Sequence, residues 1–429
     1  MNKTKKLLWL IALFGAISVV GCSDSGENGG TNPKGPLSLS SITPNYGKYL
    51  EKVILRGSGF GKASDIKVYF NQREAAVIGS SKTGTELYVL APRLPGEDCV
   101  ISVVQGQDSL TYDEHFDYTV STTVSTICGN GTPTYKDGAL TEAQVSPYYL
   151  CVDDNENIFV ISRNAPSGDA GTYTIARIDL ENDELVSILA ETGNVPCVAP
   201  DTQIVTCPTE TNMGSFIEMN PLEMWAPRIR SFKWYDSNPP QHGWKHCMVV
   251  NPSDGKIYCR FYFGQLIKID PKTYETELVC MTDQFDTYGM TFRPQEPNVL
   301  YFTGWQNHGL YKVDMNAENV EAVHVNGGNS TAGHRDGELG DALFNGPSQI
   351  YCDADGNMYV ADCYNHCIRR VTPENQVETV LGVPGESGWV DGTQEVAKFN
   401  QPRGIGIAPD GSVYVADWGN CRIRKLSIN

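Results

Sequence analysis

From residue 36 onward the chain is a succession of short apolar runs broken by turn-forming residues. Val53-Ile54-Leu55, Ile66-Lys67-Val68-Tyr69-Phe70, Leu87-Tyr88-Val89 and Val100-Ile101-Ser102-Val103-Val104 are the first of them. Runs of this length, rich in β-branched and aromatic residues, form strands that rest one face on a core. No long segment repeats its apolar residues at helical spacing, so the pattern predicts an all-β chain. With 42 glycines and 21 tyrosines, the composition suits many short strands joined by tight turns.

The start of the chain breaks this pattern. Lys3, Lys5 and Lys6 precede an apolar run, residues 7–20, which stops at Gly21-Cys22. A basic start and a short apolar run read as a signal peptide, too short to span a bilayer. The junction Val19-Val20-Gly21-Cys22 resembles the lipobox of bacterial lipoproteins, which implies lipidation of Cys22 as the first mature residue. A plain cleavage site beside a bystander cysteine is the alternative. Lipid chains attach firmly, at about 0.8 kcal/mol per buried CH2. Residues 23–33 offer nothing apolar to bury and read as a flexible tether. Asp24 and Glu27 resemble the acidic export signal of surface lipoproteins in Gram-negative glycan-foraging bacteria.

An internal repeat of 55 residues organises the C-terminal part. Phe344-Asn345-Gly346-Pro347 recurs as Phe399-Asn400-Gln401-Pro402. Asp355-Gly356-Asn357-Met358-Tyr359-Val360-Ala361-Asp362 recurs as Asp410-Gly411-Ser412-Val413-Tyr414-Val415-Ala416-Asp417. Asn365 with Ile368-Arg369-Arg370 recurs as Asn420 with Ile423-Arg424-Lys425, and the lead-in Asp336-Gly337 as Asp391-Gly392. Weaker copies centre on Ile158-Phe159-Val160, Lys256-Ile257-Tyr258 and Val299-Leu300-Tyr301-Phe302, and residues 195–206 read as a degenerate one. These copies resemble the NHL repeat, which implies a β-propeller; counting all of them gives six blades. The last copy stops before its fourth strand. Val120-Ser121-Thr122-Thr123-Val124-Ser125-Thr126-Ile127 resembles the missing run, Gln376-Val377-Glu378-Thr379-Val380, and is expected to close the ring.

The earlier domain resembles the IPT/TIG family of immunoglobulin-like domains. The carrying residues are Ile42-Thr43-Pro44-Asn45-Tyr46-Gly47, Leu55-Arg56-Gly57-Ser58-Gly59-Phe60-Gly61, Val68-Tyr69-Phe70 and a final strand His115-Phe116-Asp117-Tyr118. Gly57, Gly59 and Gly61 read as a tight turn rather than a phosphate loop, because no helix follows. The expected organisation is a leader (1–21), a tether (22–35), an immunoglobulin-like β-sandwich (36–119) acting as spacer, and a six-bladed NHL-type β-propeller (120–429).

The leader carries three lysines and no acid, so its removal takes the formal charge from −18 to −21. Such a chain repels nucleic acid and anionic membrane, leaving the lipid as the only membrane contact. Thirteen cysteines in an exported chain invite disulfides. Cys151, Cys259 and Cys352 fall in strand-like runs, as buried apolar groups do; Cys197/Cys207 and Cys363/Cys367 are left open.

A propeller's function lies in its loops. Trp305 and Trp418 fall between second and third strands, Trp244 and Trp389 in blade-to-blade connections, and Trp234 at the edge of one, all on one face. Tyr148, Tyr235 and Tyr288 lie nearby. Sugar rings stack an apolar C–H face on aromatic rings and need polar partners for their hydroxyls. We therefore expect ligand binding at Trp234, Trp244, Trp305, Trp389, Tyr288, His246 and His308, with His242, Asn307, His334 and Arg335 as further polar candidates. Packing of long connections onto the blades is the competing reading, and is favoured for Trp418. The Asp336-Gly337 series reads as capped turns, and Arg369 and Arg424 as structural ion-pair residues. His242-Gly243-Trp244-Lys245-His246-Cys247 is the one metal-like cluster, but no helix fixes its imidazoles on one side, so no metal and no cofactor are expected. No catalytic motif is present. The expected role is binding of a polysaccharide or oligosaccharide at the cell surface, in the outer membrane, beside a transporter complex. The alternatives are a protein-interaction scaffold for that transporter and a metal-assisted lyase or hydrolase in the central funnel.

Overall fold

Alternation at period two places one face of each strand on a core, and in this chain that requirement is met by two separate units. The computed structural model describes residues 35–93, 98–163, 173–236, 243–328 and 330–428. Cys22, the leader and nearly all of the tether lie outside them. One unit ends at Thr119 and the other begins at Val120.

The first unit is all-β, with strands in the order Ser38–Thr43, Lys52–Ser58, Glu86–Leu90, Arg73–Ser80, Ile66–Phe70, Asp98–Gln105, Asp108–Tyr118 and Tyr46–Gly47. Val53, Leu55, Val68, Phe70, Leu87, Val89, Ile101, Val103 and Phe116 form its buried core. The glycines of residues 57–61 serve backbone geometry. Gly59 has φ +79°, and a Cβ on Gly57 would collide with the Ser38 carbonyl.

The second unit is a six-bladed β-propeller. Blade one runs outward from its inner strand Pro147–Val152 through Ile158–Ser162 and Thr174–Asp179 to Glu184–Leu189. Blade two comprises Cys197–Val198, Val205–Pro208, Ser215–Met219 and Pro227–Ser231. Blade three comprises Lys245–Val250, Ile257–Phe261, Gln265–Ile269 and Thr276–Met281. Blade four comprises Met290–Arg293, Glu296–Gly304, Gly309–Asp314 and Ala322–His324. Blade five comprises Pro347–Cys352, Met358–Asp362, Cys367–Val371 and Gln376–Leu381. Each inner strand touches those of the next and the preceding blade, so the ring closes.

Blade six combines Pro402–Ile407, Val413–Asp417 and Arg422–Ile428 with an N-terminal fourth strand, Thr122–Cys128. Leu426 faces Val124, and Arg424 faces Thr126. Val124 is buried with Ile405, Val413, Val415 and Leu426. The N-terminal segment of the unit thus supplies the missing strand, as its likeness to residues 376–380 led us to expect.

The Asp-Gly repeats add a short outer rung. Gly138, Gly337 and Gly392 pair with the fourth strands of blades one, five and six. Their φ angles of +141°, +116° and +143° favour glycine. The preceding aspartates accept a backbone N–H from Ser187 (2.8 Å), Thr379 (3.1 Å) and Thr126 (3.1 Å). Asp336 and Asp391 also hold a buried arginine each. Arg369 donates to Asp336 and to Asp362 (2.9 Å), Arg424 to Asp391 and to Asp417 (2.9 Å), and both guanidiniums are fully buried. They lie over Phe344 and Phe399. In blade one the matching position in the third strand is Ala176, paired with Val160 as Arg369 pairs with Val360, so that copy keeps the turn without the ion pair. No disulfide joins any of the twelve described cysteines. Those of the pairs left open, Cys197/Cys207 and Cys363/Cys367, are among them.

Candidate functional site: an aromatic cup at the propeller axis

Each inner strand of blades one, three, five and six begins with a break in register. It falls between Pro147 and Tyr149, Lys245 and Cys247, Pro347 and Ile350, and Pro402 and Gly404. A bulge leaves one residue out of the ladder and re-aims its side chain. Asn194 stands between the bridged Gly193 and Val195 of blade two. Gly289 of blade four lies against Gln349 and Ile350 as Gly404 lies against Tyr149 and Leu150. Tyr288 therefore stands level with Arg403. One residue per blade reaches this level: Tyr148, Asn194, His246, Tyr288, Ser348 and Arg403.

These positions build an aromatic cup. The Arg403 guanidinium lies 4.2 Å from the ring centre of Tyr148, 4.4 Å from Trp418 and 4.6 Å from Trp305. Trp305 in turn meets Tyr364 (5.1 Å) and Tyr288 (5.6 Å) edge-on or tilted. Tyr288 meets His246 (5.3 Å), which meets Tyr262 (5.8 Å). Tyr149 and Tyr288, from opposite blades, approach to 5.7 Å. Gln349 bonds both backbone groups of Leu150 and the N–H of Ile405, stitching three inner strands.

The polar lining is as specific. Arg163 donates to Asn194 (2.6 Å) and Glu210 (2.9 Å). His246 Nδ1 accepts the Thr287 N–H at 3.3 Å, so its proton sits on Nε2, 3.4 Å from Asp286. Burial, with Arg260 and Arg163 nearby, pushes the His246 imidazole down to about 3. The contact with Asp286 is accordingly a hydrogen bond from a neutral ring. Burial also pushes Lys245 down to about 8, and its ammonium donates to the Asn212 carbonyl. Among the buried polar atoms with no hydrogen-bond partner in the described residues are Arg403 Nε, Ser348 Oγ, Tyr149 Oη and Thr303 Oγ1. Leaving such groups unpaired costs about 1–3 kcal/mol each, so a cluster of them marks a place where a ligand gains hydrogen bonds.

The neutral buried His246 has a consequence for stability. Its folded pKa lies below the unfolded value near 6.5, so the unfolded chain binds the extra proton, and stability falls as pH drops through that value. At pH 5 the cost is roughly 2 kcal/mol. Urea unfolding of His246→Gln between pH 5 and 7.5 should show this acid-side slope flattened by one proton relative to wild type.

The structure divides the residues singled out in the sequence. Trp305, Tyr288 and His246 come together at the axis. Trp244, half exposed, reaches the cup's edge through Tyr262 at 5.7 Å. Trp389 lies at the rim of blade six, stacked 3.6 Å from Arg422 and donating to Thr126 at 2.9 Å. Trp234 packs on Phe232 and Phe261. His308 closes the second-to-third-strand turn of blade four at φ +52°, and its Nδ1 holds the Gly346 N–H at 3.0 Å; His366 does the same in blade five for Gln401. Asn307 bonds Tyr311, His334 bonds Thr379, and Arg335 is exposed. His242 lies outside the described residues. Sequence reasoning missed Arg403, Arg163 and Tyr364, and assigned Trp418 to packing. One signal was available: Arg403 aligns with Ser348, a position where two otherwise matched repeats diverge.

Fold and repeat together define the class, a six-bladed β-propeller built on an internal repeat. Residues 399–426 match the family model for the NHL repeat. A segment of 97 residues, 23% of the chain, is 33% identical to the Arabidopsis thaliana protein SUPPRESSOR OF QUENCHING 1, chloroplastic, but spans only 9% of that protein. Two solved structures share the fold across both units. A structural genomics protein of unknown function from Bacteroides thetaiotaomicron superimposes with TM-score 0.75 at 24% identity, over 92% of this chain and 99% of that one. An auxiliary nutrient binding protein from Bacteroides ovatus gives TM-score 0.62 at 22% identity, over 93% and 99%.

Proposed function

We propose that this protein is a carbohydrate-binding lipoprotein of a nutrient-uptake system, anchored at the outer membrane through Cys22 and holding sugar in the axial cup of the propeller. The observation that carries the reading is the ring of Tyr148, Tyr288, Trp305, Tyr364 and Trp418 around polar groups that lack partners. Rings of this kind stack on the C–H face of a pyranose, and fixed donors select its hydroxyls. The auxiliary nutrient binding protein of Bacteroides ovatus, which has the same fold, supports it. The first unit is an immunoglobulin-like spacer of the IPT/TIG kind, lifting the propeller from the membrane. A transporter partner is part of the proposal. Leu222, Met224 and Ile229 lie 92%, 89% and 70% exposed on the outer edge of blade two, an apolar surface suited to a docked protein. Weak single sites gain from many copies on one membrane.

Calorimetry of the mature chain against a polysaccharide panel tests the binding. Trp305→Ala is expected to weaken any binding found by roughly tenfold or more, on the scale of about 1–3 kcal/mol for a buried aromatic contact. Trp389→Ala, which alters the rim, should leave it within about twofold. Binding that survives Trp305→Ala and fails in Trp389→Ala would move the site to the rim.

A further inference from the structure

Arg403 is the buried arginine of this propeller that lacks a hydrogen-bond acceptor among the described residues. Its side chain is 7% exposed. The other buried arginines each donate to acceptors, although the Nε of Arg293 has none among the described residues. Arg369 and Arg424 each hold two aspartates. Arg260 donates to Thr282, Thr287 and the carbonyls of Phe285 and Asp283. Arg293 donates to Asn375 and the Thr372 carbonyl. Arg403 has three aromatic faces around it, and its Nε is sealed from solvent without a partner.

Resting on the carbohydrate reading above, we propose that the cup selects a sugar bearing a negative charge, and that Arg403 is the residue that reads it. A guanidinium is a planar fork that matches the two oxygens of a carboxylate or sulfate. The rings of Tyr148, Trp305 and Trp418 hold that fork in one orientation, which removes most of the entropy it would lose on binding. They also exclude water, so a neutral sugar hydroxyl leaves a buried charge unpaired where an anion neutralises it. Ser348, on the neighbouring blade at the same level, adds a buried hydroxyl with no partner of its own. The chain as a whole carries a formal charge of −18, so long-range attraction does not gather anions. Selection is therefore a short-range property of this fork.

The test is affinity electrophoresis of the mature chain in gels containing polygalacturonate, alginate, dextran sulfate, methyl-esterified pectin, galactan, xylan or starch. Retardation is expected in an acidic gel and in no neutral gel, with the carboxylated and sulfated arms telling which anion fits. Arg403→Gln should lose at least tenfold in affinity, and Arg403→Lys, which keeps the charge without the fork, should fall between. Melting temperatures check that the variants fold. Should Arg403→Gln unfold, methyl-esterified pectin and polygalacturonate compared on the wild-type chain answer the same question. Retardation by a neutral polysaccharide that Arg403→Gln retains overturns the proposal and leaves the carbohydrate reading standing. Retardation by none of the gels overturns both.

Discussion

A single carboxylate placed at Val124 is expected to open the propeller. The Val124 side chain is 1% exposed and packs with Ile405, Val413, Val415 and Leu426, where blade six meets its borrowed strand. Val124→Asp puts an unpaired charge into that contact, which costs about 3–5 kcal/mol. A domain of this size is stable by only about 5–15 kcal/mol, so the variant gives up a large share of its stability. The backbone adds to the effect. The same residue exchanges both hydrogen bonds with Gly392, at 2.7 and 3.0 Å, so a displaced strand also releases the outer rung of blade six. Urea unfolding followed by tryptophan fluorescence should show a lower midpoint and a shallower transition, as an open ring loses cooperativity. Val120→Asp, at an exposed position before the strand, should be neutral within about 0.5 kcal/mol. Equal stability of Val124→Asp and wild type would mean the borrowed strand is not what closes the ring.

Arg424→Met should be comparably damaging for a different reason. The arginine is fully buried and joins Asp391 on the outer turn to Asp417 on the second strand. Removing it strands Asp417, which is itself fully buried, at a cost of about 3–5 kcal/mol near neutral pH. Burial already pushes the Asp417 carboxyl up to about 6 against the opposing pull of Asn420, Asn400 and Arg424. Without Arg424 that value rises further. A carboxyl whose folded pKa is raised takes up its proton more readily folded than unfolded, so stability is gained as pH falls through it and lost as pH rises. The deficit of Arg424→Met relative to wild type should therefore shrink between pH 7 and pH 5. Arg424→Met combined with Asp417→Asn should recover part of the loss at pH 7. A deficit independent of pH and unrelieved by Asp417→Asn would assign the effect to lost packing on Phe399 alone.

The architecture was legible because the repeat is written twice almost unchanged. The Asp-Gly turn, the second strand and the buried arginine recur at one spacing in blades five and six, and an ion pair built on three matched positions leaves little freedom. The closing strand was legible too, since Thr126 answers to Thr379 in taking the outer aspartate. In the first unit Ser38–Thr43 and Arg73–Ser80 escaped notice, because their half-polar, partly exposed runs look like connections. The site was harder. Trp244, Trp305 and Trp389 read alike in sequence, because a loop position says nothing about whether a ring turns toward the axis or lies back on a blade. The cup is set instead by the inner strands, whose bulges single out Tyr148, His246, Ser348 and Arg403 and carry no common residue type. Arg403 was hidden by its difference from Ser348: a repeat reveals what its copies share, and the cup is made from what they do not.

The position of the sugar separates the cup from the rim. A crystal structure of the mature chain with an oligosaccharide from the glycan that retards it most decides this directly. The expected result is a sugar ring stacked in the cup, against Trp305 or Tyr148, with its acidic group on Arg403. A sugar lying on Trp389 at the rim of blade six, with the cup left to solvent, would contradict it.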